Sequence, residues 1–255
     1  MSYYIDLNSD LGESFGAYTM GMDEEVLQYV TSANIACGWH AVDPMVMKQT
    51  VELCHQKGVA IGAHPGYPDL MGFGRRNMTV QPEEAKAYMI YQVGALQAFC
   101  DVHGLSLQHM KLHGAFYNTA CVTPALADAI LDGLEAVNPS LAAMVLSGSY
   151  IAKEAQKRGI PVIQEVFADR GYTDEGKLVP RTEQGAFIHD PKEAVERVLM
   201  MIKEGCVLSN TGKSISIQVD SVCVHGDNPQ ALEFVKALRE GLIQEGVILR
   251  SFQNR

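Results

Sequence analysis

The sequence predicts an α/β fold, an irregular (β/α) barrel of about seven parallel strands. Two observations carry that expectation. Short apolar, β-branched runs alternate with amphipathic stretches along the chain, the pattern of strands joined by crossover helices. Polar, glycine-rich signatures follow every strand, while the turns leading into strands are plain. Barrels build their sites from loops at the carboxyl ends of the strands, whereas a doubly wound open sheet gathers such signatures at one switch point.

The strand runs, in order, are YYIDL (3–7), SANIAC (32–37), GVAIGAH (58–64), LSLQHMKL (105–112), AAMVL (142–146), PVIQEV (161–166) and ISIQVDSVCV (215–224). Seven is one short of the usual eight. Helix starts are expected at Asp43-Pro44, Thr123-Pro124, Asp190-Pro191 and Asn228-Pro229, and more weakly at Gln81-Pro82. Each sets a side-chain acceptor before a proline that suits the first helical position. Gly58, Gly104, Gly159, Gly205 and Gly246 read as helix-ending glycines. No linker-like tract interrupts the series, so one domain spanning 1–255 is expected.

With 30 acidic against 20 basic residues, the net charge is −10. No basic stripe is available to neutralise phosphates, so nucleic acid is not an expected partner. The longest fairly apolar stretch, residues 88–100, contains Gln92 and Gln97 and is too short to cross a membrane. The opening residues have neither the basic start nor the apolar run of a signal peptide. Six cysteines without C-x-x-C spacing read as reduced and buried, consistent with a cytoplasmic protein.

Candidate chemistry lies after the strands. Alternation along 105–113 puts Lys111 and His113 on the inward face at the mouth and His109 a layer deeper, with Met110 and Leu112 outward. Asn8 and Asp10 follow the first strand, His40 the second, and His64 ends the third. Asp10, His40, His64 and His113 could together hold a divalent metal. They could equally bind a polar substrate with a carboxylate or imidazole as general base. Asp169-Arg170 offers an acid and a guanidinium suited to a carboxylate. The loop 64–76 is either a solvated turn or a lid whose Arg75 or Arg76 engages an anion. The TGKS at 211–214 is no phosphate loop, because Val207 stands where that motif needs glycine.

The motifs DLNSDLGESFG, SANIACGWHAVDP, GAHPGYPDLMGFGRR, HMKLHGAFYN, EVFADRGY, LVPR and CVHGDNP, in this order, resemble the LamB/YcsF family, the A subunits of bacterial 5-oxoprolinase. The resemblance implies a distorted barrel related to the glycoside hydrolase and polysaccharide deacetylase barrels. It implies ATP-dependent opening of 5-oxo-L-proline to L-glutamate together with B and C subunits, with ATP entering through the complex. Asp10, His64, Lys111 and His113 then become catalytic candidates, with Asp10 or His64 as base. Asn8, His40, Arg75, Asp169, Arg170 and His225 become substrate-binding candidates, and Lys111 or Arg170 would neutralise negative charge. Three positions depart from the family pattern: Leu112 for proline, Trp39 for phenylalanine and Val42 for glycine. Trp39 adjoins His40 and could alter pocket size. The competing readings are a metal-dependent amidase or deacetylase acting on a small amide or sugar, and a non-catalytic subunit that presents a ligand to a partner.

Overall fold

The structure, a computed structural model, describes residues 3–226 and 228–252. Asp227, part of the last strand-end signature, lies outside the described residues. The strands are β1 (Tyr3–Leu11), β2 (Ser32–Ala36), β3 (Ala60–His64), β4 (His109–Met110), β5 (Ala142–Leu146), β6 (Val162–Phe167), β7 (Cys206–Leu208), β8 (Ser214–Ser216), β9 (Ser221–Val224) and β10 (Val247–Leu249). The helices are α1 (Asp23–Val26), α2 (Pro44–Lys57), α3 (Pro82–Val102), α4 (Gly114–Val122), α5 (Pro124–Val137), α6 (Tyr150–Arg158), α7 (Pro191–Glu204) and α8 (Pro229–Gln244). Seven parallel strands close a barrel in the order β1, β2, β3, β4, β5, β6, β9 and back to β1.

The predicted helix starts hold. Asp43, Asp190 and Asn228 each accept a hydrogen bond from a backbone N–H of the helix they precede, and the Gln81 N–H donates to the Glu84 carboxylate. Thr123 precedes α5 but its side chain makes no capping bond. Gly58, Gly159 and Gly205 end α2, α6 and α7 in the left-handed conformation.

Four expectations are corrected. β1 runs on through Asn8 and Asp10, because these residues pair with Ser32 and Asn34 of β2 instead of entering a loop. β4 shrinks to two residues, although Lys111 N and His113 N still donate to the carbonyls of Ala63 and Pro65. The run 215–224 is not one strand: β8 forms an antiparallel hairpin with β7, and β9 begins only where Ser221 can pair with Asp6 and Glu165. β10 is an additional parallel strand against the start of β1, with Tyr3 opposite Val247.

The departures from the family pattern also resolve. Trp39 stacks on Tyr91 and meets Tyr88 edge-on. It does not line the cavity described below, so it does not set pocket size. Val42 is buried with φ 72°, a conformation that glycine adopts without strain and a β-branched residue does not. Leu112 is buried and belongs to the cavity wall.

Below the mouth, the barrel interior is polar. Asp6 accepts from the hydroxyls of Thr31, Ser32 and Ser221. Asn8 donates to Ser221 Oγ at 2.8 Å, and Asn34 Oδ1 accepts from His109 Nε2 at 2.6 Å. Buried polar groups are tolerable only when paired in this way. His109 is thus a structural member of the layer, and burial, with Lys111 nearby, depresses its pKa to about 3.

Candidate active site

The carboxyl ends of the strands surround a cavity of about 170 Å³, the space of roughly half a dozen waters. That is the scale of a small metabolite. Its floor is a charge network. Lys111 Nζ donates to Asp10 Oδ1 at 2.9 Å, Asn8 Oδ1 at 3.2 Å and Cys223 Sγ at 3.2 Å, and contacts Glu165 Oε1 at 2.8 Å. Tyr117 donates to the other Glu165 oxygen at 2.7 Å. Burial alone would raise Asp10, but His64 and Lys111 beside it hold its carboxyl well below the usual range. Burial opposes the charge on Lys111, yet Asp10, Cys223 and Glu165 outweigh it and lift the ammonium well above its ordinary value.

Above this floor three histidines converge with Glu13. His64 donates from Nδ1 to the Lys111 carbonyl at 2.8 Å, and His113 donates from Nε2 to the Phe73 carbonyl at 2.8 Å. A carbonyl only accepts, so these bonds settle where each ring carries its N–H. The nitrogens left over, His64 Nε2 and His113 Nδ1, point at each other 2.9 Å apart. Two imidazole lone pairs at that distance require a proton or a cation between them. His40 Nε2 lies 3.1 Å from Glu13 Oε1, which is 3.4 Å from His113 Nδ1, and the His40 and His113 rings stack 3.6 Å apart. Tetrahedral ligands about 2.0–2.1 Å from a zinc ion are roughly 3.3 Å from one another; the donor set is therefore close to metal-binding geometry. Burial, joined by the neighbouring imidazoles, pushes His40 and His113 well below the ordinary histidine pKa, which keeps them in the neutral, ligating form. A second grouping, Asp10 with Cys223 and His225, already has a cation against it, the Lys111 ammonium.

The loop between β3 and α3 clamps this cluster. Phe73 sits at φ 53° with its carbonyl on His113, and Ala115 N donates to the Gly74 carbonyl at 3.0 Å. A Cβ on Gly74 would come within 2.8 Å of both His40 and His113, so only glycine allows the approach. The loop is tied to the site by these bonds. Its Arg75 faces the cavity, whereas Arg76 pairs with Asp69.

Of the residues singled out from sequence, Asp10, His64, Arg75, Lys111, His113, Arg170 and His225 line the cavity. Asn8 and His40 stand behind, the first holding Lys111 and the second backing His113. Asp169 accepts from His225 Nδ1 at 2.7 Å, making an oriented acid–base dyad. Burial raises the Asp169 carboxyl, and the His225 imidazole more than reverses that shift. The Arg170 side chain donates to the carbonyls of Ala186 and Val179, so it braces the loop 169–186 as well as flanking the cavity. Sequence reading missed Glu13, Tyr117, Glu165, Arg181 and Cys223. Glu165 had a visible signal, a lone carboxylate inside the apolar run PVIQEV; Glu13 and Arg181 lie inside the motifs DLNSDLGESFG and LVPR, and that membership was the signal that could have found them.

Residues 5–255 match the LamB/YcsF family. The chain belongs to that family. A relative from Fusobacterium nucleatum subsp. nucleatum, named as the A subunit of 5-oxoprolinase, is 56% identical over 251 residues and covers 98% of each chain. The crystal structure of a lactam utilization protein from Thermus thermophilus superposes with a TM-score of 0.93 at 45% identity, covering 99% of this chain and 100% of that one. The catalytic domain of a peptidoglycan N-acetylglucosamine deacetylase from Eubacterium rectale shares the fold alone, at a TM-score of 0.50 and 11% identity over 99% of this chain and 89% of that one. The family's barrel is thus the one built here.

Proposed function

We propose that this chain is the A subunit of a cytoplasmic, ATP-dependent 5-oxoprolinase, hydrolysing 5-oxo-L-proline to L-glutamate together with B and C subunits. The observation that carries this reading is a metabolite-sized cavity whose charged floor and histidine cluster lie on the family's motifs, in a chain 56% identical to a protein named for that activity.

The chemistry asked of the site is addition of water to the ring carbonyl carbon and rupture of the C–N bond, the nitrogen leaving with a proton. A five-membered lactam is resonance-stabilised, and phosphorylation of its oxygen with ATP activates the carbon; ring opening then leaves an acyl phosphate, which a second water cleaves to the carboxylate and inorganic phosphate. The chain carries no recognisable nucleotide loop, which suits ATP handling by the partner subunits. Lys111, held charged by Asp10 and Glu165, offers its cation to the oxygen that gains negative charge. Asp10 is ionised and too weakly basic to take the proton by itself, so it orients water. His225, its Nδ1 held by Asp169, takes the proton of the attacking water on Nε2 and delivers it to the departing nitrogen. Glu13, His40, His64 and His113 would hold a divalent cation, which when bound polarises an oxygen of water or carbonyl. Asn8 and His40 act by placing Lys111 and His113, and Arg75 and Arg170 contact the substrate's periphery.

The deciding assay is glutamate release from 5-oxoproline by the chain reconstituted with its B and C partners and ATP, with His113→Ala as the inactive control. Turnover by the isolated chain without ATP refutes the coupling. The metal-dependent amidase reading shares the Glu13 and histidine geometry; chelator-sensitive hydrolysis of a small amide by the isolated chain, without ATP or partner subunits, separates it. A merely ligand-presenting subunit would leave turnover intact in the His113→Ala complex.

A further inference from the structure

A second concavity, of about 550 Å³, opens between the start of α6, the end of α4, residues 175–177 and the stretch 215–218, and it shares no lining residue with the catalytic cavity. β6 serves both. Glu165 points into the barrel against Lys111, so its neighbour Gln164 points outward, where packing against helices calls for an apolar residue. Gln164 is only 5% exposed and lines this groove. Its Oε1 accepts from the Gly148 N–H at 3.2 Å. An N–H only donates, so that bond orients the amide and leaves Nε2 as the other end. Nε2 makes no hydrogen bond among the described residues. Ser147, also buried, accepts from the Gln218 N–H at 3.0 Å and keeps its own O–H to give. At the start of α6, Ser149 Oγ accepts from the Ala152 N–H, while the N–H groups of Tyr150 and Ile151 have no partner among the described residues. The unmet groups are all donors. Lys153 and Lys177 line the same groove without an ion pair among the described residues, against one carboxylate, Glu175. Buried donors at a helix N-terminus beside two ammonium groups call for an oxyanion. A phosphoryl group, with three oxygens and close to two charges, uses this set more fully than a carboxylate does. Val122, Leu146, Ile215 and Ile217 form an apolar wall beside it, which gives room to a carbon body.

We propose that this groove on the flank of the barrel is a binding site for a small phosphorylated metabolite, its phosphoryl group held by Gln164 Nε2, the Ser147 hydroxyl, the start of α6 and Lys153, with Lys177 opposite. The site is separate from the chemistry and independent of the activity assigned above. Lys177 belongs to the loop 169–186, which also carries Arg170 and Arg181 to the catalytic cavity. An occupied groove therefore ties α6 to that loop.

The test is a nuclear magnetic resonance titration of the nitrogen-15-labelled whole chain with inorganic phosphate, phenyl phosphate and acetate, each separately. The amide signals of Tyr150 and Ile151 are expected to move saturably with both phosphates, phenyl phosphate binding more tightly because it reaches the apolar wall. Gln164→Leu and Lys153→Gln should each weaken that response about tenfold, the loss of one charge-assisted hydrogen bond. Arg75→Gln, in the catalytic cavity, should leave it within about twofold. Lys153 is exposed, so its variant keeps the fold and decides the matter even where Gln164→Leu does not fold. Unmoved Tyr150 and Ile151 signals up to about 10 mM phosphate overturn the proposal, as does a response that Lys153→Gln leaves unchanged. Acetate binding as tightly as phosphate makes the groove a carboxylate site and overturns it. Phenyl phosphate binding no more tightly than inorganic phosphate makes it a site for the free ion and overturns it too.

Discussion

Replacing Lys111 by methionine tests whether the barrel floor is a true charge network. The side chain is 3% exposed and Glu165 is fully buried, while Asp10 keeps 16% of its side chain exposed at the cavity. Methionine keeps most of the volume but removes the cation that faces Asp10 Oδ1 at 2.9 Å and Glu165 Oε1 at 2.8 Å. Deleting one partner of a buried ion pair leaves an uncompensated charge and costs about 3–5 kcal/mol. For a chain of this length that is a fall of roughly 6–20 °C in Tm. The sign with pH follows from the shifts. Asp10 is lowered, so its share is present above the ordinary carboxylate value of 3.8 and lost as pH falls through its folded value. Lys111 is raised, so its share is present below 10.5 and lost as pH climbs through its folded value. Urea unfolding of wild type and Lys111→Met should therefore differ by a constant amount between about pH 5 and 10. Adding Asp10→Asn to the Lys111→Met background should recover part of the loss, a coupling that a double-mutant cycle reads directly. A loss under about 1 kcal/mol, or no recovery, would mean that water already solvates these groups and that the network is incidental.

Other outcomes follow from neighbouring features. His109 is held neutral with its pKa near 3, against 6.5 unfolded, so stability should decline as pH drops from about 6.5 towards 3, by up to about 1.4 kcal/mol per unit from this residue; His109→Gln should flatten that slope by up to one proton. Gly62→Ala should unfold at markedly lower temperature or fail to fold, because a Cβ there collides with the His109 ring; a Tm within about 2 °C of wild type would contradict the packing. Thiol labelling of the native chain should be confined to Cys206: the other five cysteines are buried, and desolvation lifts Cys37, Cys100 and Cys121 to about 12. Denaturation should release the remaining five.

Much of the fold was legible because its signals are local. A capping side chain before proline depends on a few neighbouring backbone groups, so the starts of α2, α7 and α8 could be read directly. The run 215–224 misled because alternation records polarity and not partners: residues 214–216 satisfy their backbone against β7, while 221–224 do so in the barrel. For the same reason β10, three residues long, carries too little pattern to separate it from the end of α8. In the site, His64, Lys111 and His113 were visible as polar residues where apolar ones are expected. Glu13 and Arg181 sit inside the motifs DLNSDLGESFG and LVPR, but in polar loops periodicity does not say which side chain of a motif lines the cavity.

The sequence by itself determined the class of fold, the strand ends that carry chemistry and the family, since periodicity, caps and ordered motifs are properties of short segments. Only the tertiary structure decided the roles. Tautomers of His64 and His113 depend on two backbone carbonyls, those of Lys111 and Phe73, contributed by segments distant in the chain. The charge state of Asp10 depends on His64 and on Lys111, 101 residues away, and Arg170, while flanking the cavity, is fixed by the carbonyls of Ala186 and Val179. Hydrogen bonding and burial act through space at a few ångströms, and no spacing along the chain encodes which groups closure of the barrel brings within that reach.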